Sequence, residues 1–291
     1  MNSKFSFIIL TLNEEIHLPK LLKSLEPLSA KIYVLDSGST DDTISICARH
    51  DIETFYHKFH SHPLQWHFAL NHFQINTPWT IGLDADQIIS QDLCEMLLNF
   101  NENQNVETNG IYFNRKYLFK GSWIRHGGYY PKYLLKMFRT GIGYSDLNEH
   151  MDHRFQVLGK HKIWKKGYLI EENIKENKIS FWIDKHNFYS DILAEGVVRT
   201  RHSYHHHPMK NILFGSPNER NAWLKWFWYS LPKYLRPFLY FTYRMVFKLG
   251  IFDGKTGIIF HFLQAFWFRL LVDIKIDELE KLKHNAQSGS K

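Results

Sequence analysis

The sequence predicts an α/β protein with a mainly parallel sheet, and two observations carry this prediction. Three short apolar runs, KFSFIIL, KIYVLD and WTIGL, are rich in the aromatic and β-branched residues of buried strands. Helical patterns separate them: leucines recur at helical spacing in LPKLLKSL, and ISICARH follows the turn SGSTDDT. Strands joined through helices form right-handed crossovers and a parallel sheet, whose ligands bind beyond the carboxyl ends of the strands.

Length and composition limit the classes of protein to consider. The chain of 291 residues can form one large domain or a domain with an appendage. Cys47 and Cys94 lie far apart and no signal peptide pattern is present, so we expect no disulfide framework or zinc cluster, and a cytoplasmic location. A formal net charge of +7 with 16% aromatic residues indicates an anionic partner, either a membrane surface, nucleic acid or a phosphorylated ligand.

Two carboxylates, Asp84 and Asp86, follow the third predicted strand in the run TIGLDADQII. In an extended segment both point to the same side, and their repulsion favours a cation between them. Few oxygen ligands suit Mg²⁺ or Mn²⁺, which keeps water molecules and takes further ligands from a diphosphate. The alternative is a solvated turn that caps the next predicted helix, QDLCEMLL.

The runs FSFIILTLNEE, YVLDSGSTDDT and LDADQ, in this order, resemble family 2 glycosyltransferases of the GT-A fold, which are inverting enzymes with nucleotide-sugar donors. The runs FHSHPLQWHFALN and LLKMFRTGIGYSDLNEHM are similar to the branch of lipopolysaccharide-core glucosyltransferases and capsule or exopolysaccharide transferases. That branch usually has Lys-Asn where this chain has Trp66 and His67. The resemblance implies a Rossmann-like GT-A domain with flanking helices over residues 1–210, with a nucleotide-sugar half at 1–100 and an acceptor and catalytic half at 101–210.

The resemblance also implies the donor site. In the family, the loop after the first strand cradles the nucleotide base and ribose, and Asp36 would accept a hydrogen bond from the base, although turn duty is its alternative. Asp86 would ligate Mg²⁺ or Mn²⁺ between the donor phosphates, with Asp84 as a second metal ligand or as a contact to the ribose or a metal-bound water. The implied nucleotide-sugar-binding residues are Thr11, Asn13, Glu14, Asp36, Gln65, Asp84, Ala85, Asp86 and Arg139.

An inverting transfer also needs a general base that takes the proton of the attacking acceptor hydroxyl. The run YSDLNEHMD offers several carboxylates, and Glu149 matches a glutamate that closes a comparable segment in the resembling branch. We therefore predict Glu149 as the base and Asp146 as the second candidate. The alternative is that these are charges of a surface loop. Lys136 and Arg125 are further cations that could reach phosphates.

Beyond residue 210 the composition changes, and tryptophan, tyrosine and phenylalanine alternate with lysine and arginine. The run Gly257–Phe268 is uncharged for only 12 residues, so we predict no spanning helix. Helices broken at Pro232 and Pro237 would instead lie in the headgroup layer of an anionic membrane. In this prediction residues 211–291 form an aromatic and basic amphipathic helical segment with a disordered tail, KLKHNAQSGSK. The alternative is a subdomain that packs on the catalytic domain or on a second subunit of a homo-oligomer.

Together these patterns predict a metal-dependent inverting glycosyltransferase, peripheral on the inner face of the cytoplasmic membrane. It would move a sugar from a nucleotide sugar, such as a UDP-sugar, to a hydroxyl of a lipid-linked saccharide or a lipopolysaccharide or polysaccharide intermediate. The alternatives are a polyprenyl-phosphate glycosyltransferase and an inactive GT-A scaffold that serves as a membrane-bound interaction protein. No pattern of a nucleic-acid-binding module is present.

The histidine-rich runs HKFHSH and SYHHHP lack zinc-site spacing, so we expect loops there, with FHSHPLQW as a mobile lid.

Overall fold

A computed structural model of the chain describes residues 3–147, 153–200, 214–215 and 217–288. The chain forms two compact units. The first unit comprises Met1–Gly121 and Tyr130–Ile174, and the second unit comprises Ser122–Tyr129 and Lys175–Lys291. This division differs from the boundary predicted at residue 210, which itself lies outside the described residues.

The strands follow one another in chain order as β1 (Phe5–Thr11), β2 (Lys31–Asp36), β3 (Glu53–Tyr56), β4 (Trp79–Asp84), β5 (Gln87–Ile89), β6 (Thr108–Phe119), β7 (Ser122–Trp123), β8 (Lys132–Arg139), β9 (Tyr144–Ser145), β10 (Phe155–Gln156), β11 (Lys160–Ile163) and β12 (Leu169–Glu171). The helices of the first unit are α1 (Leu18–Leu25), α2 (Thr43–Arg49), α3 (His62–His72) and α4 (Gln91–Leu98). The run HKFHSH is a loop as far as Ser61, as predicted, and SYHHHP lies outside the described residues. The helix α3 begins at His62, so the prediction of a mobile lid over FHSHPLQW is wrong: Ser61 accepts a hydrogen bond from the Leu64 N–H and caps the helix.

The large sheet of the first unit is mixed. Its strand order is β3-β2-β1-β4-β8-β6-β12-β5, and β11 pairs with β6. The first four strands in this order are parallel, as predicted, whereas β8 runs antiparallel to both of its neighbours and β5 runs antiparallel to β12. A separate pair, β9 with β10, is antiparallel.

Side chains of β1 show why its sequence is continuously apolar. Phe7 and Ile9 belong to the core cluster that includes α1 and α4, whereas Ile8 and Leu10 belong to a second cluster that includes α3. Successive strand residues point to opposite faces, so a strand covered on both faces needs apolar residues at every position. The α/β class predicted from the sequence is confirmed by this arrangement.

The second unit is mainly helical. Its helices are α5 (Ile179–Thr200), α6 (Pro217–Ser230), α7 (Leu235–Thr242), α8 (Gly254–His261) and α9 (Phe268–Ser288). A π-helical turn Tyr243–Phe247 and a 3₁₀ turn Gly250–Asp253 join α7 to α8, and a π-helical turn Phe262–Trp267 joins α8 to α9. The helix α5 packs along α9, which explains why α5 belongs to the second unit although the sequence assigned it to the first domain.

The carboxyl-terminal region bears on two expectations, the absence of a spanning helix and a disordered tail. The helical stretch Gly250–Asn285 is long and apolar enough to cross a membrane by length and composition, and 39% of its most apolar window is buried inside the protein. Core helices of soluble proteins meet the same criterion, so the absence of a spanning helix stays a prediction. In addition, α9 continues to Ser288, so the tail expected to be disordered from Lys281 is largely helical, and residues 289–291 lie outside the described residues.

Candidate active site

The ends of three parallel strands bring the principal sequence candidates to one edge of the sheet. Thr11 pairs with Asp36 at the ends of β1 and β2, and Leu10 pairs with Asp84 at the end of β4. This register follows from the parallel pairing of strands that begin and end at matching positions. The sequence prediction that Thr11, Asp36 and Asp84 share this edge is confirmed.

The Asp36 carboxylate is buried and receives four hydrogen bonds from its own chain. The Thr11 hydroxyl donates to Oδ1 at 2.8 Å, and the N–H groups of Gly38 and Ser39 donate to Oδ2 at 2.8 and 2.7 Å. The Ser39 hydroxyl donates to Oδ1 at 2.5 Å. A carboxylate offers about four lone-pair sites. Asp36 therefore holds the loop after β2 in place, and this geometry favours positioning of the loop over direct contact with a base.

The loop after β1 is attached to the same loop after β2. The Asn13 N–H donates to Ser39 Oγ at 2.8 Å, and the Thr40 N–H donates to Asn13 Oδ1 at 2.7 Å. Asn13 has a φ of 56°, a left-handed conformation that asparagine tolerates better than most residues. The two loops thus form one connected rim above the strand ends.

The Glu14 side chain faces His17, which is buried. His17 Nε2 accepts the N–H of Ile174 at 2.8 Å, so its Nδ1 carries the proton and donates to Glu14 Oε2 at 2.5 Å. The Glu14 N–H donates to Thr43 Oγ1 at 2.7 Å. Glu14 therefore links the rim to α2 and to the segment before the second unit.

Gln65 is buried in α3 and connects this helix to the rim. Its Nε2 donates to Ser37 Oγ and to the His57 carbonyl, each at 2.8 Å, and its Oε1 lies 2.7 Å from His57 Nδ1. The next residue, Trp66, is fully buried, and its ring stacks on His153 at 5.2 Å between centroids. The Trp66 position thus contributes to the core, which explains why an apolar residue can replace the lysine usual in the resembling branch.

Asp84 lies between the side chains of Lys136 and His62. The Lys136 ammonium donates to Asp84 Oδ2 at 3.0 Å, and His62 Nε2 lies 3.3 Å from Asp84 Oδ1. Burial opposes ionisation of Asp84, but the Lys136 charge and then His62 outweigh it, so the pKa of this carboxyl lies well below its usual value. Asp84 is therefore a fixed carboxylate at neutral pH.

Ala85 and Asp86 form the turn between β4 and β5, so the two aspartates do not lie in one extended segment as the sequence argument assumed. Ala85 is buried and Asp86 is half-buried, and the Asp86 carbonyl accepts the Glu172 N–H at 3.1 Å. The Asp84 N–H donates to Gln87 Oε1 at 3.1 Å, which closes the turn.

The carboxylate oxygens at this turn suit a divalent cation that takes most of its ligands from water and phosphate. Within the described residues, no group of three or more histidine, cysteine, aspartate or glutamate side chains could hold a metal ion. However, Asp84 Oδ1 is buried, and its contact with His62 Nε2 at 3.3 Å lacks hydrogen-bond geometry. One such oxygen with the neighbouring Asp86 carboxylate suits Mg²⁺ or Mn²⁺, which retains water and phosphate ligands.

A buried histidine beside Asp84 was missed by the sequence reasoning. The Ser145 hydroxyl donates to the Pro63 carbonyl at 2.9 Å and so accepts from His153 Nδ1 at 3.1 Å, which leaves the His153 Nε2 lone pair buried without a hydrogen-bond partner. Burial is the main reason that the pKa of His153 lies well below its usual value, and the neighbouring His62 and Lys136 lower it further. His153 is thus a neutral acceptor, and no local pattern marks it.

Of the remaining candidates, Arg139 lies at the opposite end of the strand pair. Arg139 lies opposite Trp79, the first residue of β4, whereas Asp84 is the last residue of that strand. The Arg139 guanidinium donates to the carbonyls of Thr108, Asn105 and Val106. Asp146 is buried, and its Oδ2 accepts from Gln156 Nε2 at 2.6 Å. The predicted base, Glu149, lies outside the described residues.

Comparison with known proteins adds an independent observation. Residues 6–166 match the family model described as Glycosyl transferase family 2. The chain is 29% identical over 193 residues to the lipopolysaccharide core biosynthesis glycosyltransferase LpsC of Rhizobium meliloti (strain 1021), which covers 60% of this chain and 68% of LpsC. It is 30% identical over 90 residues to an uncharacterized glycosyltransferase of Rickettsia typhi, a match that covers 31% of this chain and 30% of that relative.

Solved structures show more distant likeness. S. aureus TarS is 17% identical, with a TM-score of 0.43 over 88% of this chain and 55% of that one. Glucosyl-3-phosphoglycerate synthase from Mycobacterium tuberculosis, solved with Mn²⁺ and UDP-glucose, is 20% identical, with a TM-score of 0.30 over 39% of this chain and 43% of that one.

Proposed function

The chain belongs to glycosyl transferase family 2, and we propose that it transfers a sugar from a nucleotide sugar, with UDP-sugars as the first candidates, to a hydroxyl of a lipid-linked saccharide or a lipopolysaccharide or polysaccharide intermediate. The observation that carries this proposal is the convergence of Thr11, Asp36 and Asp84 at the carboxyl ends of three parallel strands. Ligands of open α/β sheets bind beyond this edge.

The donor nucleotide would bind against the connected rim. Asp36 and Asn13 orient the backbone and hydroxyl groups of the two loops, and Gln65 fixes the Ser37 side chain from α3. A rim whose groups are already hydrogen-bonded to one another loses little conformational entropy on binding. In this proposal Thr11, Asn13 and Glu14 shape the pocket for the base and ribose.

The diphosphate would bind at the turn between β4 and β5. Asp86, with Asp84 beside it, would hold Mg²⁺ or Mn²⁺, which would neutralise the charge on the departing nucleoside diphosphate. Lys136 and His62 keep Asp84 ionised and in one orientation. The chain thus contributes fixed charges that need no rearrangement when the leaving group departs.

For the transfer step, the acceptor hydroxyl attacks the anomeric carbon from the face opposite the diphosphate and inverts the configuration. The base takes the hydroxyl proton, the new glycosidic bond forms and the bond to the diphosphate breaks. Family resemblance supports Glu149 as this base. The burial of Asp146 and its hydrogen bond with Gln156 support a structural duty for that residue.

The acceptor class rests on two points. The relative LpsC is named for lipopolysaccharide core biosynthesis. The second unit of this chain exposes many aromatic side chains, as in Phe247 and Phe252. We therefore propose a membrane-bound acceptor and a peripheral position of the enzyme on the inner face of the cytoplasmic membrane.

A panel of nucleotide sugars, tested for hydrolysis and for transfer with Mg²⁺, Mn²⁺ or chelator, examines this proposal. We expect turnover of one donor class that stops with chelator, and an Asp86→Asn variant that remains folded but is inactive. Lipid-linked saccharides and polyprenyl phosphate, offered as acceptors in parallel, distinguish the proposed acceptor from a polyprenyl-phosphate one. Full activity in chelator would refute the metal role, and absence of donor binding would favour an inactive scaffold.

A further inference from the structure

The turn that joins α7 to α8 in the second unit carries a concentrated set of exposed apolar side chains. Val246 is 59% exposed, Phe247 74%, Ile251 57% and Phe252 70%. Leu249, at the centre of the turn, is also exposed and has a φ of 58°. We name residues 246–252 the tip. Exposure of large apolar side chains to water is unfavourable, and contiguous groups of them mark interaction sites.

The backbone of the tip is held from below by a buried arginine. Arg244 is 1% exposed and donates to the Gly127 carbonyl at 3.0 Å and to His261 Nδ1 at 2.7 Å. The Gly127 N–H in turn donates to the Lys248 carbonyl at 2.8 Å. A Cβ on Gly127 would lie 2.2 Å from His261 Cε1, so glycine is required for this close approach.

A buried carboxylate completes the support. Asp253 Oδ1 accepts from His126 Nδ1 at 2.7 Å, and Asp253 Oδ2 lies 3.0 Å from His261 Nε2. Burial, followed by the Arg244 charge, lowers the pKa of His261 to about 4, so this histidine is neutral and bridges the arginine and the aspartate. A turn fixed in this way presents its apolar side chains in one conformation, without the entropy loss of ordering them on binding.

The charges around the tip are those that an anionic surface attracts. Lys248 and Lys255 are exposed, whereas the sole acidic residue of 243–262, Asp253, has a side chain that is 1% exposed. The exposed surface of this segment is therefore apolar and positively charged. Lysines that flank apolar side chains are the pattern of segments that lie in the headgroup layer of anionic bilayers.

The carboxyl-terminal half of the long apolar helix is tied into the second unit. Asp273 is buried and pairs with Arg236, and Lys275 lies 2.6 Å from Asp191 of α5. Crossing a bilayer would require these pairs to separate and α9 to leave α5, at the cost of uncompensated charges in lipid. The structure therefore favours surface contact by the tip over a spanning helix.

We propose that the tip inserts into the headgroup layer of an anionic bilayer. Phe247 and Phe252 would lie at the boundary between headgroups and acyl chains, and Lys248 and Lys255 would contact lipid phosphates. This inference deepens the proposed membrane association, on which it rests, and assigns it to particular side chains. Of the tryptophans in this region, Trp267 packs against Trp182 at 5.7 Å and Trp228 against Tyr240 at 5.3 Å, whereas Trp226 is 49% exposed but belongs to α6, outside the tip.

Vesicle flotation of the full chain tests the proposal without donor or acceptor, so its result is independent of glycosyl transfer. At low salt we expect binding to vesicles that contain phosphatidylglycerol and at least fivefold weaker binding to pure phosphatidylcholine. Phe247→Ser with Phe252→Ser should weaken binding at least tenfold. Lys248→Gln with Lys255→Gln should weaken it about fivefold per lysine and reduce its salt dependence. The matched control is Val106→Ser with Leu158→Ser, which removes equally exposed apolar side chains from the first unit and should change nothing.

A labelled variant keeps the proposal falsifiable if the serine variants misfold. Phe247→Cys can carry an environment-sensitive fluorophore, since Cys47 and Cys94 are buried. We expect a blue shift of its emission on anionic vesicles and none for Leu158→Cys. A protein that floats without this shift would overturn the assignment of the tip, and a protein that stays unbound at low salt would overturn membrane docking. Loss of a dimer in the serine variants, with vesicle binding unchanged, would instead identify a self-association surface.

Discussion

At the scale of single residues, the site depends on how charges are paired around Asp84. Lys136 is 5% exposed and gives Asp84 its nearest positive charge, while His62 approaches the other carboxylate oxygen. Removing one member of a largely buried pair leaves the other charge without compensation, which costs more than the pair contributes. The pairing therefore serves two ends, since it stabilises the fold and maintains a carboxylate at the strand end.

We predict that Lys136→Met lowers the free energy of unfolding at pH 7 by about 1–3 kcal/mol and weakens donor binding. The folded-state pKa of Asp84 lies below its unfolded value, so its stabilising contribution is present above pH 4 and is lost as the pH falls toward the folded pKa. The folded-state pKa of His153 is also lowered, so protonation of this residue in the unfolded state removes stability as the pH falls. Between pH 6 and pH 3 the variant should therefore lose less stability than the wild type, by about 1 kcal/mol.

Urea unfolding at both pH values measures this difference. The matched control is Lys31→Met, which breaks an exposed pair with Glu53 and should cost less than about 0.5 kcal/mol. Equal pH dependence in the Lys136→Met variant and the wild type would contradict the assigned charge pairing.

At the scale of elements, the packing of β10 onto β4 determines where the buried histidine lies. Gly82 is in the middle of β4, and a Cβ there would be 2.2 Å from Phe155 Cζ of β10. Phe155 also contacts the rings of Trp66 and His153, at 4.7 and 4.2 Å between centroids. Glycine is thus needed at this position because an aromatic ring occupies the space of a side chain.

We predict that Gly82→Ala destabilises the protein by about 1–3 kcal/mol, because Phe155 must move away from β4. Phe155→Leu, a smaller residue, should recover part of this loss in the double variant, and a double-mutant cycle in thermal or urea unfolding measures the coupling. Additive effects of the two substitutions would show that the close approach carries no energetic cost.

At the scale of the whole molecule, the two compact units carry different parts of the proposed function. The strand ends with Asp36, Asp84 and Asp86 belong to the first unit, and the tip belongs to the second. Arg236 and Asp273 form a buried ion pair in the second unit, with side chains 2% and 1% exposed. The stability of the second unit can therefore be changed without substitution in the first.

We predict that Arg236→Leu destabilises the second unit by about 3–5 kcal/mol, because it leaves Asp273 buried without its partner. Vesicle binding should fall, while binding of a nucleoside diphosphate by the first unit should remain near the wild-type value in calorimetry. The control is Arg236→Leu with Asp273→Leu, which should restore most of the stability because no charge remains buried. Equal loss of nucleotide binding in the single variant would contradict the separation of roles.

Local patterns in the sequence determined much of this protein. The alternation of apolar runs and helical spacing predicted β1, α1, β2, α2 and β4, and the polar residues after each strand predicted the edge at which Thr11, Asp36 and Asp84 meet. These predictions succeeded because strand period, helix period and turn residues are properties of neighbouring positions. The match to the family model over residues 6–166 also confirmed the resemblance carried by the short motifs and, with it, the GT-A fold class.

The tertiary structure alone decided which side chains become partners. Lys136 meets Asp84 across 52 positions of the chain, and Arg236 meets Asp273 across 37. The burial of Asp253, which leaves the α7–α8 turn apolar and positive, depends on His126, far away in sequence. No local period encodes such contacts, because they follow from the packing of strands and helices onto common cores, and from the need of each buried charge for an opposite charge or a hydrogen bond.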